Sequence, residues 1–136
     1  MVSHLRGEAL RWFSEAEWDF DTAQILHREK RYNAAVSYAH QAAEKACRAL
    51  LYSVNEAVRI NGHSIRLLLE HYMERCKVQI REELLVHARE LDRHYIPSRY
   101  PNAHPAGTPH EAYDKETSRR ALEAAKAILD FVRDLL

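Results

Sequence analysis

Thirteen residues, Pro97-Ser-Arg-Tyr-Pro-Asn-Ala-His-Pro-Ala-Gly-Thr-Pro109, set a guanidinium, a phenol and an imidazole close together in the chain. Arg99 and His104 are separated by four residues, a fixed cation beside a titratable group, and that pair suits proton transfer at an RNA phosphate. An RNA strand can attack its own phosphate through the neighbouring 2′-hydroxyl. A catalyst then needs a group that exchanges a proton near neutral pH, which histidine supplies. It also needs a fixed cation for the charge that builds on the phosphate, and arginine's planar fork suits those oxygens. DNA, lacking the 2′-hydroxyl, would be spared. Tyr100 could stack on a base, although an aromatic beside proline also serves to pin a loop to its scaffold.

The spacing alone selects nothing. With four to six residues allowed between them, Arg66 with His71, Arg81 with His87 and Arg89 with His94 match too. Fifteen arginines and nine histidines give roughly three such matches by chance. What distinguishes Arg99 and His104 is their setting. All four prolines of the chain lie in this stretch, one at every fourth position. Each removes a backbone donor and fixes φ, so no continuous helix can cross it. The three rival pairs fall inside helical patterns. A loop anchored by a salt bridge would use Arg99 as well, and an exposed loop histidine is commonplace.

Helices must position this loop. Leu5, Ala9, Trp12, Phe13, Ala16, Phe20, Ala23 and Leu26 form a helical stripe over residues 4 to 28. Trp18 and Ile25 lie off it, as on a helix that packs against two neighbours. After the polar break Arg28-Glu-Lys-Arg31, a second helix is expected from Asn33 to Ser53. Its stripe is Ala35, Ala39, Ala42, Ala46 and Ala49, small residues that allow close helix approach. Gln41, Glu44, Lys45 and Arg48 share another face of it, and Glu44 precedes Arg48 in the favourable i,i+4 order. That face reads equally well as a solvated one. Asn61-Gly62 signals a turn. A third helix starts near His63-Ser64 and buries Ile65, Leu68, Leu69 and Tyr72, His63 serving its start and no chemistry. A fourth is expected from Val78 to Tyr95, with Ile80, Leu84, Leu85, Ala88, Leu91 and Tyr95 inward. Arg93 and His94 close it and could widen a basic surface, or simply oppose the helix dipole. A last helix follows Asp114, which can cap it, and buries Ala121, Ala125, Ile128, Val132 and Leu135. The expected architecture is an all-α, five-helix, antiparallel up-and-down bundle in a single domain.

Composition narrows the classes further. The chain has 136 residues, 46% apolar and 29% charged, with three glycines. That suits one helical domain with its own core. Acids and bases balance at 20 each, so any grip on nucleic acid is local rather than global. Cys47 and Cys76 form no C-x-x-C motif and read as free thiols of a reducing compartment. The N-terminus has no apolar leader and no segment is long enough to span a bilayer, so a soluble cytoplasmic protein is expected. His94, His104 and His110 match no usual zinc spacing, and no cofactor or metal is expected. No Gly-rich phosphate loop and no aspartate pair for nucleotidyl transfer is present.

Three segments carry a family resemblance. Gln41-Ala-Ala-Glu-Lys-Ala-Cys-Arg-Ala-Leu-Leu51 resembles the second-helix signature of HEPN domains, and His63-Ser-Ile-Arg-Leu-Leu-Leu69 resembles their third-helix start. Leu91-Asp-Arg-His-Tyr-Ile-Pro-Ser-Arg-Tyr-Pro101, with the Pro-rich stretch and the Tyr113 helix entry behind it, resembles their central loop. The resemblance spans nearly the whole chain. It implies a homodimer whose Arg-bearing loops face one cleft, and RNA or nucleotide as ligand. It also implies either a metal-independent, toxin-like endoribonuclease using Arg99 and His104, or a non-catalytic module partnered by a minimal nucleotidyltransferase. Tyr100, Gln41, Glu44, Lys45, Arg48 and Arg93 would then line the binding surface, with Glu44 bracing Arg99. Some family members carry a modifiable tyrosine two residues after the motif histidine. Here that position is Ala106, so the switch does not transfer.

Overall fold

A computed structural model describes residues 3–57 and 60–136, excepting the side chain of Ser3. Among the described residues six α-helices run in order: α1 Ser3–Arg28, α2 Tyr32–Ser53, α3 Ile65–Cys76, α4 Glu82–Asp92, α5 Pro109–Ala112 and α6 Lys115–Leu135, with a 3-10 turn at Pro101–Ala103. No strand occurs among the described residues. The all-helical expectation holds, with one helix more than the five read from the sequence.

The extra element is α5, a single turn inside the proline stretch. Proline is tolerated at the first position of a helix, where its missing N–H would have no partner anyway. Pro109 takes that place. Thr108 and Glu111 complete a capping box, the Glu111 carboxylate accepting from the Thr108 N–H at 3.1 Å and its hydroxyl at 2.9 Å. Gly107, at φ +75°, turns the chain into it. Asp114 caps α6 as expected, accepting from the Thr117 N–H at 2.8 Å.

The fourth helix is shorter than the period suggested, Glu82 to Asp92 rather than Val78 to Tyr95. Lys77 closes α3 in the left-handed region at φ 56°, and residues 78–81 form no helix. Ile80 is buried nonetheless. Beyond Asp92 the chain continues in irregular turns, with the Ser98 N–H donating to His94 O and the Tyr100 N–H to Ile96 O.

Helix α2 is the centre of the bundle and packs on α1, α6, α3 and α4. Its alanine stripe, Ala35, Ala39, Ala42, Ala46 and Ala49, is entirely buried, with Leu50 and Leu51 beside it. Each such leucine contributes roughly 1.5–3 kcal/mol of burial free energy. Helices α1 and α6 are antiparallel: His27 meets the Ser118 hydroxyl at 2.7 Å at one end, and Arg6 donates to Leu136 O at the other. Helix α3 is tied to α4 through Asp92, whose carboxylate accepts from the Ile65 N–H (2.7 Å), the Arg66 N–H (3.1 Å) and the Ser64 hydroxyl (2.8 Å). Those bonds satisfy the donors that a helix start leaves open. No helix of the described residues is long and apolar enough to cross a membrane.

Candidate functional site

Of the concavities beside the segment between α4 and α6, two take up the sequence candidates other than Tyr100. The first, of about 340 Å³, is lined by Trp12 of α1, Gln41, Glu44, Lys45 and Arg48 of α2, His63 ahead of α3, and Tyr95 and Arg99 beyond α4. The polar face of α2 read from helical spacing is therefore brought onto Arg99. Trp12 and Lys45 also border a larger, shallower hollow with Glu8, Arg11, Ser14, Glu15 and Tyr52, so the concavity continues along α1. Trp12 stacks on Tyr52 there at 5.3 Å.

Inside the first concavity the cations differ in how they are held. Lys45 pairs with the buried Asp19 carboxylate at 2.7 Å. Arg48 is a brace. Its guanidinium bonds Glu44 at 3.2 Å, Ile60 O at 3.0 Å and Gly62 O at 2.6 Å, pinning the connector before α3 to α2. Arg99 is held by carbonyls alone, Tyr95 O at 2.5 Å and Ser37 O at 3.4 Å. Its guanidinium carbon stands 4.3 Å from the Tyr95 ring centroid. Among the described residues it is the cation of this concavity with no carboxylate partner. The expectation that Glu44 braces Arg99 is corrected. Glu44 is taken by Arg48 and by His63 Nδ1, which lies 3.1 Å from both of its oxygens.

His63 is the residue that sequence reading passed over. Its ring stacks on Tyr95, centroids 4.6 Å apart and planes 17° from parallel, and it opens into the Arg99 concavity. Below it His40 is fully buried, 3.9 Å from Glu44, 3.7 Å from Asp92 and 5.1 Å from the Tyr95 ring. Those distances are too long for hydrogen bonds. Asp92 is held below the usual carboxylate range. Burial pushes the other way, and the bonds from neighbouring groups outweigh it.

The second concavity, of about 360 Å³, holds His104 with Arg93, His94, Pro97, Ala112, Tyr113 and Thr117. His104 Nε2 is 2.7 Å from Pro97 O. His94 Nδ1 meets the Tyr113 hydroxyl at 2.8 Å. Burial raises Tyr113 to about 12, helped by Glu90 and opposed by Arg99, so its hydroxyl keeps its proton. Arg93 reaches Glu90 at 3.3 Å. In one chain, then, Arg99 and His104 open into different hollows. Tyr100 is half exposed and lines neither.

Proteins of known sequence and structure are similar to this chain. A protein of Methanocaldococcus jannaschii named "Putative toxin MJ1304" is 25% identical over 132 residues, covering 92% of this chain and 86% of that one. The crystal structure of TT1696 from Thermus thermophilus superposes with a TM-score of 0.88 at 36% identity, covering 95% and 98% of the two chains. The structure of ST0689, an archaeal HEPN homologue, gives 0.76 at 30% identity over 94% and 97%. The HEPN domain model itself matches residues 9–135. The fold, the α2 face turned onto Arg99 and this match agree: the chain belongs to the HEPN domain family.

Proposed function

We propose that the protein is a metal-independent endoribonuclease of toxin type, cleaving RNA by attack of a 2′-hydroxyl on the adjacent phosphate. The observation that carries this reading is Arg99, an arginine that lines a concavity and, among the described residues, forms no ion pair with a carboxylate. Carbonyl bonds and the Tyr95 ring fix its position, and preorganised charge of that kind stabilises a phosphorane best. Gln41 and Lys45 border the same hollow and would track the strand, while Trp12 offers a face for a base. His104 would protonate the departing 5′-oxygen. Since it opens into a separate hollow from Arg99, the two would meet at one phosphate across a cleft between two copies of the chain. The toxin name borne by the Methanocaldococcus jannaschii relative supports the same class.

The test is RNA cleavage in EDTA. Wild-type protein should cut, leaving 2′,3′-cyclic phosphate ends. Arg99→Ala and His104→Ala should each lose at least about a hundredfold with helical content unchanged. Retained cleavage in both variants rules the reading out.

A second reading is favoured by a different observation. Trp18 is 68% exposed and Ile25 44% exposed on the outer side of α1, an apolar strip of the kind that a protein partner covers. On this reading the chain is a non-catalytic, nucleotide-binding helical module docked to a minimal nucleotidyltransferase in the cytoplasm. It requires no RNA turnover, a complex with such a partner on gel filtration, and a rise in melting temperature with nucleotide.

A further inference from the structure

We propose that His63 is the group that takes the proton from the attacking 2′-hydroxyl, with Glu44 fixing its tautomer. This rests on the ribonuclease reading above and adds a residue outside the Arg99–His104 pair.

Three observations converge on it. His63 shares the Arg99 concavity, whereas His104 does not. Its Nδ1 lies 3.1 Å from each Glu44 oxygen. A carboxylate there accepts the Nδ1–H, which leaves the lone pair on Nε2 for a ligand. The same carboxylate stabilises the imidazolium once the proton has arrived. Lastly, the imidazole stacks on Tyr95 while the Arg99 guanidinium rests against that same ring. Base and cation are thus referenced to one rigid group, the positioning that proton transfer at a phosphate needs. Glu44 is itself anchored by Arg48 at 3.2 Å, so the carboxylate is not free to swing away. Half of the His63 side chain, 52%, remains exposed, which leaves room for a ribose.

In the reaction the 2′-oxygen forms a bond to phosphorus and its proton passes to His63 Nε2. The bond from phosphorus to the 5′-oxygen breaks, and that oxygen leaves with the electron pair. A proton from His104 neutralises it. The products are a 2′,3′-cyclic phosphate and a 5′-hydroxyl, and the two imidazoles exchange roles through solvent before the next turnover.

Cleavage in EDTA by the full-length His63→Ala and His63→Gln variants tests this, on ordinary RNA and on RNA with a 5′-thiolate leaving group that needs no proton. The glutamine amide can keep the bond to Glu44, so it separates proton transfer from support of the fold. Both variants should lose about a hundredfold or more on both substrates, with helical content kept, and free imidazole should restore His63→Ala at least severalfold. Activity within threefold of wild type overturns the proposal. So does a loss confined to ordinary RNA, which would make His63 an acid, or a loss that imidazole does not relieve. An active wild type beside active His63 variants leaves the ribonuclease reading standing. An inactive wild type overturns that reading, and this proposal with it.

Discussion

The imidazole of His63 lies nearly parallel to the phenol ring of Tyr95, with centroids 4.6 Å apart at 17°. Tyr95 also carries Arg99, through a 4.3 Å ring contact and a 2.5 Å bond to its carbonyl. Two chemical groups therefore take their position from one residue. Stacking and cation–π contacts are each worth about 0.5–1.5 kcal/mol. Tyr95→Ala should lower kcat and kcat/KM for RNA about tenfold, while Tyr95→Phe, which keeps the ring, stays near wild type. Steady-state cleavage kinetics of the two variants separate ring from hydroxyl.

Asp92 governs the join between α3 and α4. Its bonds to the Ile65 and Arg66 N–H groups and the Ser64 hydroxyl favour the ionised carboxylate, against the opposing effect of burial. Its folded pKa lies below the unfolded value of 3.8. The stabilisation is thus complete above that value and is lost as pH falls through the folded one. Asp92→Ala should cost about 1–3 kcal/mol at neutral pH. Urea unfolding at a series of pH values should show that cost shrinking below about pH 4.

His94 gives a second, separable dependence. Burial lowers its pKa from 6.5, with Arg93 and Arg120 helping and Glu90 opposing. As pH falls, the unfolded chain takes up this proton first, so the folded state loses stability below about pH 6.5 and continues to lose it down to the folded pKa. The melting temperature of His94→Gln should fall less than that of wild type between roughly pH 7 and pH 5. Equal slopes would show that the ring is not held neutral by its surroundings.

The two thiols should behave differently. Cys47 is buried, and burial raises its pKa strongly, with Asp92 and Glu44 adding to the effect. Thiolate, not thiol, is the reactive form. Cys76, at the end of α3, is partly exposed. Alkylation of the native protein at pH 8 should label Cys76 alone, with Cys47 appearing when denaturant is added. Mass spectrometry of the labelled peptides reads this directly.

The helices were legible because their apolar residues recur at helical spacing. Ala9, Phe13, Ala16 and Ala23 of α1 and the whole alanine stripe of α2 are buried where the period puts them. So was Asp114 as a cap, whereas the meeting of Gln41, Glu44, Lys45 and Arg48 with Arg99 was implied by the family resemblance and not by spacing, which suits a solvated face equally well. Leu135 lies 47% exposed, since the last turn of α6 runs past the core. Helix α5 was legible and was passed over. Thr108-Pro-His-Glu111 spells a capping box with proline at its first position, but four prolines in one stretch read as loop. His63 was not legible. Its meaning depends on Glu44, 19 positions earlier, and on Tyr95 across the bundle. Asp92 is hidden likewise, since a residue ending one helix caps the start of another. Nothing in local spacing reports such contacts.

The claim on which the rest depends is that the nucleophile comes from the RNA itself. A short RNA that wild-type protein cuts at one position should be remade with 2′-deoxyribose at that single nucleotide, then incubated in EDTA. The expected result is an intact strand at that position, with flanking ribose sites still open to cleavage. Scission at the deoxy position at the unmodified rate would mean that water or a protein group attacks the phosphate, and would contradict the mechanism outright.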